Sequence, residues 1–452
     1  MKNARDAKGA RGAKAKLKAA LICLLFALTA CQPSAEANVI GYVASQQVCR
    51  WTQAAMPDRV VTCPPLRPAP EGGGALTGFV LHDGEPVANA SVVAAEPSGT
   101  PHVARTDATG RYQIDNLPPG FYVPAAVAAG YDEAALHDDW GMPTLVHIGP
   151  NQIATAPSLV LTPSRPVTLP DDLAAALQLT QTAIHTTTAP FPANAAAEVQ
   201  AFQFTYNGAR VDTLRLYLPR NLAPGAKLPL LFMVYPTYVD WWETVSTAFA
   251  SHGVAFVAIS PLTTVRGIDI EGHALDANAA LQMAVGGALS PHIQSEKALV
   301  LGGSFSSAIL NRLLRLAPEQ IAGWVTVGGI ADAFSGAHDF YSGAITMPPE
   351  YAYAIPALGP PNVQPLTFLR YSPVYNVDGL PPAMIIHTDA DRILPIEQAY
   401  ALEAALRQAG VPVAVFYYQD VSHYLQIDEN LSDAGKEMFY RILEFARQVG
   451  VY

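Results

Sequence analysis

The sequence predicts two folded units in tandem, an all-β sandwich followed by a doubly wound α/β sheet. Three observations carry that expectation. From about residue 198 to the end, short apolar runs alternate with helical patterns, as a parallel sheet with crossover helices requires. Between residues 75 and 163 the pattern changes to short strands punctuated by turn residues, which indicates a sandwich. The chain has 452 residues, 50% of them hydrophobic, enough to bury both cores.

The segments follow in order. Residues 1–18 hold seven Lys and Arg against only Asp6, and Ala19 to Ala30 is uncharged and apolar. That apolar stretch is shorter than the roughly 20 residues a spanning helix needs, so residues 1–30 read as an export signal. Its end, Leu28-Thr29-Ala30-Cys31, resembles the lipobox of bacterial lipoproteins. The resemblance implies cleavage before Cys31, lipidation of its sulfur, and attachment to a bacterial membrane on the periplasmic or cell-surface face. Ordinary secretion with a nearby A-x-A-like cut is the alternative. Residues 31–74 are rich in proline and read as a tether. Cys23 leaves with the signal and Cys31 is taken by lipid, so Cys49 and Cys63 are expected to pair in an oxidising compartment. The net charge of −11, with seven of the 27 Lys and Arg in the signal, argues against nucleic acid as a partner.

Residues 75–163 form the predicted sandwich. Strand signals are Leu76 to Leu81, Ala90 to Ala95, Gly110 to Ile114, Gly120 to Val123 and Ser158 to Leu161. The runs Thr106-Asp-Ala-Thr-Gly-Arg-Tyr112 and Leu117-Pro-Pro-Gly-Phe-Tyr-Val123, with Gly130-Tyr131, resemble carboxypeptidase regulatory-like domains, also described as a carbohydrate-binding-like fold. Such a resemblance implies glycan contact or a plain spacer, and the spacer is the preferred expectation because the fold alone does not carry a function.

Residues 164–197 read as a linker with a short helix at Asp171 to Leu177. The unit at 198–452 begins with a hairpin, Val199 to Tyr206 and Val211 to Leu218, joined at Asn207-Gly208. Parallel strands are expected at Leu230 to Tyr235, Val254 to Ser260, Ala298 to Gly302, Gly323 to Val327, Ala383 to His387 and Val413 to Tyr418. Between Gly329 and Pro381 there is room for a cap. Its aromatics Phe334, Phe340, Tyr341, Tyr351, Tyr353, Phe368 and Tyr371 fit either an apolar acyl or aryl pocket or ordinary core packing.

Chemistry enters at Gly302-Gly303-Ser304-Phe305-Ser306, between an apolar strand and a helical pattern. Small residues around a serine at a strand-to-helix elbow are what a strained nucleophile turn demands. Asp391 follows the strand ending at His387, and His423 follows the strand ending at Tyr418, so both stand beyond strand carboxyl ends. The order Ser304, Asp391, His423 is that of an α/β-hydrolase. Singly, each has a plainer reading: a turn serine, a helix cap before Ile396, a loop histidine. Asp389 is the rival acid, and Asp420 reads as a turn residue.

With these residues in place, the stretch from about Val199 to Tyr452 resembles the prolyl oligopeptidase-like branch of the α/β-hydrolases. The family's G-G-S-x-G elbow corresponds to Gly302 to Ser306, its H-G-x-x-D-x-x-V-P segment to His387 to Pro395, and its late G-H to Ser422-His423. Ser306 and Thr388 stand where the family has glycine, and Tyr235-Pro236-Thr237-Tyr238 replaces its H-G-G oxyanion segment. The resemblance implies Ser304 as nucleophile, His423 as base and Asp391 as orienting acid. Phe305 N–H, with Thr237 or Tyr238 N–H, would be the oxyanion donors. No cofactor is expected. The remaining histidines lack metal-ligand spacing, Asp332, His338 and Asp339 read as loop polarity, and no nucleotide-binding glycine loop occurs. The expected protein is therefore an exported serine hydrolase acting on small esters or short peptides. The contrasting expectation is a catalytically silent surface lipoprotein that binds glycans.

Overall fold

The computed structural model describes residues 72–452 except 166, 168, 294, 348–351, 353 and 424–431. The expected signal, Cys31, Cys49, Cys63, Tyr351, Tyr353 and nearly all of the tether lie outside the described residues.

The β-rich unit runs β1 (Gly74–His82), β2 (Glu85–Pro86), β3 (Ser91–Ala95), β4 (Pro101–Arg105), β5 (Arg111–Leu117), β6 (Gly120–Tyr122), β7 (Ala125–Val127), β8 (Ala134–Ala135), β9 (Val146–Ile148), β10 (Ile153–Thr155) and β11 (Leu159–Val160). One sheet is built around β1, which pairs antiparallel with β2 and β5 and parallel with β10 and β11. The second has the order β4-β3-β7-β8. Val80, Val92, Ala94, Tyr112, Ile114 and Ile148 are among the residues that fill the space between them. A strand in a free sandwich shows one face to water, yet β3 is buried at every residue. Val92 and Ala94 face the sandwich core, whereas Val93 and Ala95 enter a separate cluster with residues of the second unit.

That second unit begins with α1 (Leu173–Ala176), capped by the Asp172 side chain. It continues through β12 (Thr180–Ala189), β13 (Ala195–Tyr206), β14 (Ala209–Pro219), β15 (Leu230–Val234), α2 (Glu243–Ala250), β16 (Ala255–Ile259), α3 (Ile270–Val285), β17 (Ala298–Ser304) and α4 (Phe305–Leu316). The remaining elements are β18 (Ile321–Gly329), α5 (Ala333–Ser342), α6 (Ala354–Leu358), α7 (Pro365–Arg370), β19 (Ala383–Thr388), α8 (Glu397–Gln408), β20 (Val413–Tyr418) and α9 (Asp433–Gln448). The nine-stranded sheet has the order β12-β13-β14-β16-β15-β17-β18-β19-β20. Its first pairings are antiparallel, and those from β16 to β20 are parallel. This is the α/β-hydrolase fold. After β15 the chain adds β16 on one side and β17 on the other, so the crevice at that switch opens beside the carboxyl end of β17, where Ser304 sits.

Asn207 (φ 47°) and Gly208 (φ 75°) make the β13–β14 turn with both central residues left-handed, as an Asn-Gly hairpin requires. The structure departs from the expected linker at 164–197, because Thr180–Ala189 is a full edge strand paired along β13. Nearly all of β12 is exposed, so no apolar alternation marks it in the sequence. A second correction concerns Asp332, His338 and Asp339, which belong to α5 and its cap rather than to a loop. No helix among the described residues is long and apolar enough to cross a membrane.

Candidate active site

Ser304 ends β17 and precedes the first residue of α4, with φ 50° and ψ −131°. A non-glycine residue there costs on the order of 1–3 kcal/mol, so surrounding contacts must impose the geometry. They are tight. A Cβ on Gly303 would lie 2.5 Å from the Val327 carbonyl oxygen on β18, and one on Gly302 would lie 3.0 Å from Leu310 Cβ on α4. Ser306, buried where the family has glycine, uses its hydroxyl to tie the elbow to β15. Its Oγ accepts from Gly303 N–H at 3.1 Å and lies 2.6 Å from the Val234 carbonyl. Ser307 Oγ donates to the Ser304 carbonyl and accepts from Ile330 N–H at 2.7 Å.

The chain brings His423 and Asp391 to this hydroxyl from separate strand ends. Ser304 Oγ lies 2.8 Å from His423 Nε2, and His423 Nδ1 lies 2.6 Å from Asp391 Oδ2. Donation runs from the serine hydroxyl to Nε2 and from Nδ1–H to the carboxylate. The other Asp391 oxygen accepts from the backbone N–H groups of Ile393 and Leu394 at 2.8 and 2.9 Å. Burial alone would push the Asp391 carboxyl up. The hydrogen bond from His423 and the Leu394 N–H, with His387 Nε2 close beside the carboxylate, outweigh it and hold the group well below the usual carboxylate range. The rival Asp389 points elsewhere and accepts from the backbone of Asp420, a turn residue at φ 57°.

Three supporting residues were given no role by the sequence reading. His387 is fully buried, donates from Nε2 to the Leu394 carbonyl at 2.8 Å and stands 3.4 Å from Asp391 Oδ2. Gly328 has φ 53°, and a Cβ there would stand 3.4 Å from His423 Nδ1 and 3.5 Å from Asp391 Oδ2. Gln398 accepts through Oε1 from Ala331 N–H and Asp332 N–H, both at 2.8 Å, and so fixes the chain entering α5. The signal for His387 lay in its spacing of four from Asp391, whereas Gly328 and Gln398 carry none. Thr388, the other departure from the family pattern, donates to the Val421 carbonyl at 2.6 Å and so ties the end of β19 to the loop bearing His423.

Ser304 and His423 line a cavity of about 220 Å³. Its walls include Met233, Val245, Ile330, Leu358, Phe368 and Met438, and among the described residues they contain no Asp, Glu, Lys or Arg. Phe305 and Thr237 line it as well, while the side chain of Tyr238 lies outside, 47% exposed. Thr237 is held by a 2.8 Å hydrogen bond from Trp242 Nε1, and Trp242 stacks on the buried Tyr235. Of the cap aromatics, Phe368 reaches the cavity, whereas Phe334, Phe340 and Tyr371 are buried in core packing. The cap's contribution to the cavity is thus mainly aliphatic.

Residues 75–162 match the family model of the carboxypeptidase regulatory-like domain, and residues 288–449 match that of the prolyl oligopeptidase family. No curated protein matches the chain. Solved structures similar to it include esterase 2 of Thermogutta terrifontis phosphoramylated by tabun, at 16% identity over 54% of this chain and 92% of that one, with a TM-score of 0.42. The propionate-bound form of the same esterase gives 17%, the same coverage and 0.42. Its butyrate-bound form gives 15%, with 54% and 91% covered and a TM-score of 0.43.

Proposed function

We propose that this α/β-hydrolase, a serine hydrolase, cleaves carboxylic esters, with short peptides as the second substrate class, through an acyl-enzyme on Ser304. The observation that supports this reading most directly is the continuous hydrogen-bonded path from Ser304 Oγ through His423 to Asp391, with links of 2.8 and 2.6 Å. A neutral hydroxyl is a weak nucleophile at pH 7. His423 Nε2 takes its proton as Oγ attacks the acyl carbonyl, and Asp391 holds the ring tautomer and stabilises the imidazolium. Phe305 N–H and a second N–H from Thr237 or Tyr238 receive the developing oxyanion. His423 then protonates the leaving group and activates water for deacylation.

The cavity favours esters over peptides. A peptide entering by a free amino terminus would bury an ammonium among walls that, in the described residues, offer no carboxylate. An uncharged acyl chain meets no such cost and gains about 25 cal/mol for each Å² it removes from water. Export and a lipid anchor on Cys31 complete the proposal, supported by the basic leader and the Leu28-Thr29-Ala30-Cys31 sequence.

A fluorophosphonate probe tests the core of this reading. The wild type should label and should hydrolyse p-nitrophenyl esters. Ser304→Ala should lose the label and lower kcat by about 10⁴-fold or more. An unlabelled but folded wild type would instead support the silent glycan-binding alternative.

A further inference from the structure

We propose that the β-sandwich is the outer support of the acyl cavity and sets which acyl chains the enzyme accepts. This inference rests on the serine-hydrolase reading above and assigns the sandwich a role within it.

Three layers stack from the sandwich to the cavity. The outer face of β3 and β7 presents Val93, Ala95, Ala125 and Val127, all essentially buried. Against it lie Phe334 and Ala337 of α5, Phe368 and Leu369 of α7, and Tyr375. Phe334 and Phe368 stack at 5.4 Å, and Phe368 also lines the cavity, as do Ala333 and Gly336 of α5. Only the thickness of these two helices therefore separates the sandwich from the space beside Ser304. Small side chains on β3 and β7 permit so close an approach, and the loss of their apolar area from water favours it.

Polar contacts fix the register of this packing. Ser91 Oγ donates to the Tyr375 carbonyl at 2.7 Å. The Tyr375 hydroxyl donates at 2.9 Å to Asp332, whose other oxygen caps α5 at Phe334 N–H. Asp332 N–H is in turn held by Gln398, another cavity residue. Midway along α5, Thr100 Oγ1 pairs with His338 Nδ1 at 2.9 Å. Asn362 Nδ2 donates to the Phe121 carbonyl at 3.0 Å, and Val123 N–H donates to the Asn362 carbonyl at 2.9 Å. Glu133, nearly buried, lies 3.3 Å from Arg312 of α4, the helix that follows Ser304. A mere spacer needs none of these bonds.

Gly99 offers the sharpest test. It lies in the β3–β4 turn at φ 104°, and a Cβ there would stand 2.6 Å from His338 N and 2.7 Å from the Phe334 carbonyl of α5. Gly99→Ala in the full chain therefore forces the β3–β4 turn and α5 apart, and any part of that shift taken up by α5 moves the cavity wall formed by Ala333 and Gly336. The expected result is retained fluorophosphonate labelling, p-nitrophenyl acetate turnover within about threefold of wild type, and an octanoate-to-acetate kcat/KM ratio lowered by about tenfold or more. Amide hydrogen exchange over residues 333–342 should rise at the same time. Should Gly99→Ala not fold, Ser91→Ala and Glu133→Gln serve instead, with ratio shifts of the same sign and about threefold size. Faster exchange at 333–342 with an unchanged ester ratio would overturn the proposal, and so would unchanged exchange and ratio in every folded variant. Failure of the hydrolase reading looks different, because the wild type itself would then neither label nor turn over esters.

Discussion

Ser304 occupies a backbone region that a serine enters at a cost, and the surrounding hydroxyls of Ser306 and Ser307 are spent on holding it there. Residue type and position made Ser304, Asp391 and His423 legible in the sequence, because a strand end followed by a helix restricts what a serine, an acid or an imidazole can be doing. The choice of Asp391 over Asp389 was less legible, since two residues of separation send the side chains to different partners. Asp391→Asn sets an amide against the Nδ1–H of His423 and removes the preference for the reactive tautomer. Turnover of p-nitrophenyl acetate should fall by about 10⁴-fold, with fluorophosphonate labelling correspondingly slowed. The same substitution has a consequence for stability. A carboxyl held below its unfolded value of 3.8 stabilises the folded chain above about pH 4, and that contribution is lost as the pH falls toward its folded value. The acid limb of Tm against pH should therefore be shallower in Asp391→Asn than in wild type below pH 4, and identical limbs would contradict the assignment.

Elements were read from period and punctuation, and the reading succeeded where burial leaves a pattern. The parallel strands β15 to β20 stand close to their expected spans because they are continuous apolar runs bounded by turns. Edge strand β12 was missed because its exposed Thr, Gln and His residues repeat no buried face. The elbow between β17 and α4 depends on three elements crossing closely, and Gly303 is where they meet. Gly303→Ala would press a methyl against the Val327 carbonyl, a clash with backbone that cannot turn aside. A loss of about 3 kcal/mol and a drop in Tm of several degrees or more are expected by differential scanning fluorimetry, with β18 as the displaced strand. A Tm within a degree of wild type would show that the elbow has slack.

At the scale of the molecule, the sandwich and the α/β unit share a buried apolar layer instead of lying as beads on a string. This was invisible in the sequence. The all-buried character of Ser91–Ala95 is apparent only when both its partners are known, and Phe334 or Phe368 reads equally well as pocket or core. The proposed anchor also belongs to this scale, because a lipid on Cys31 would hold both units at a membrane surface through the Pro-rich tether. Cys31→Ser should move the protein from the membrane fraction to the soluble fraction without altering ester turnover. Sedimentation with membranes in that variant would remove the anchor from the proposal.

The sequence by itself determined the two-unit order, most of the strands and the succession of serine, acid and imidazole. These follow from local period, turn chemistry and the small residues that an elbow tolerates, all properties of neighbours along the chain. Tertiary structure alone decided that the cavity is walled mainly by aliphatic groups and that the second face of β3 is covered. Those outcomes depend on atoms brought together from residues far apart in the chain, and distance and desolvation, unlike periodicity, exist only after the chain has closed on itself.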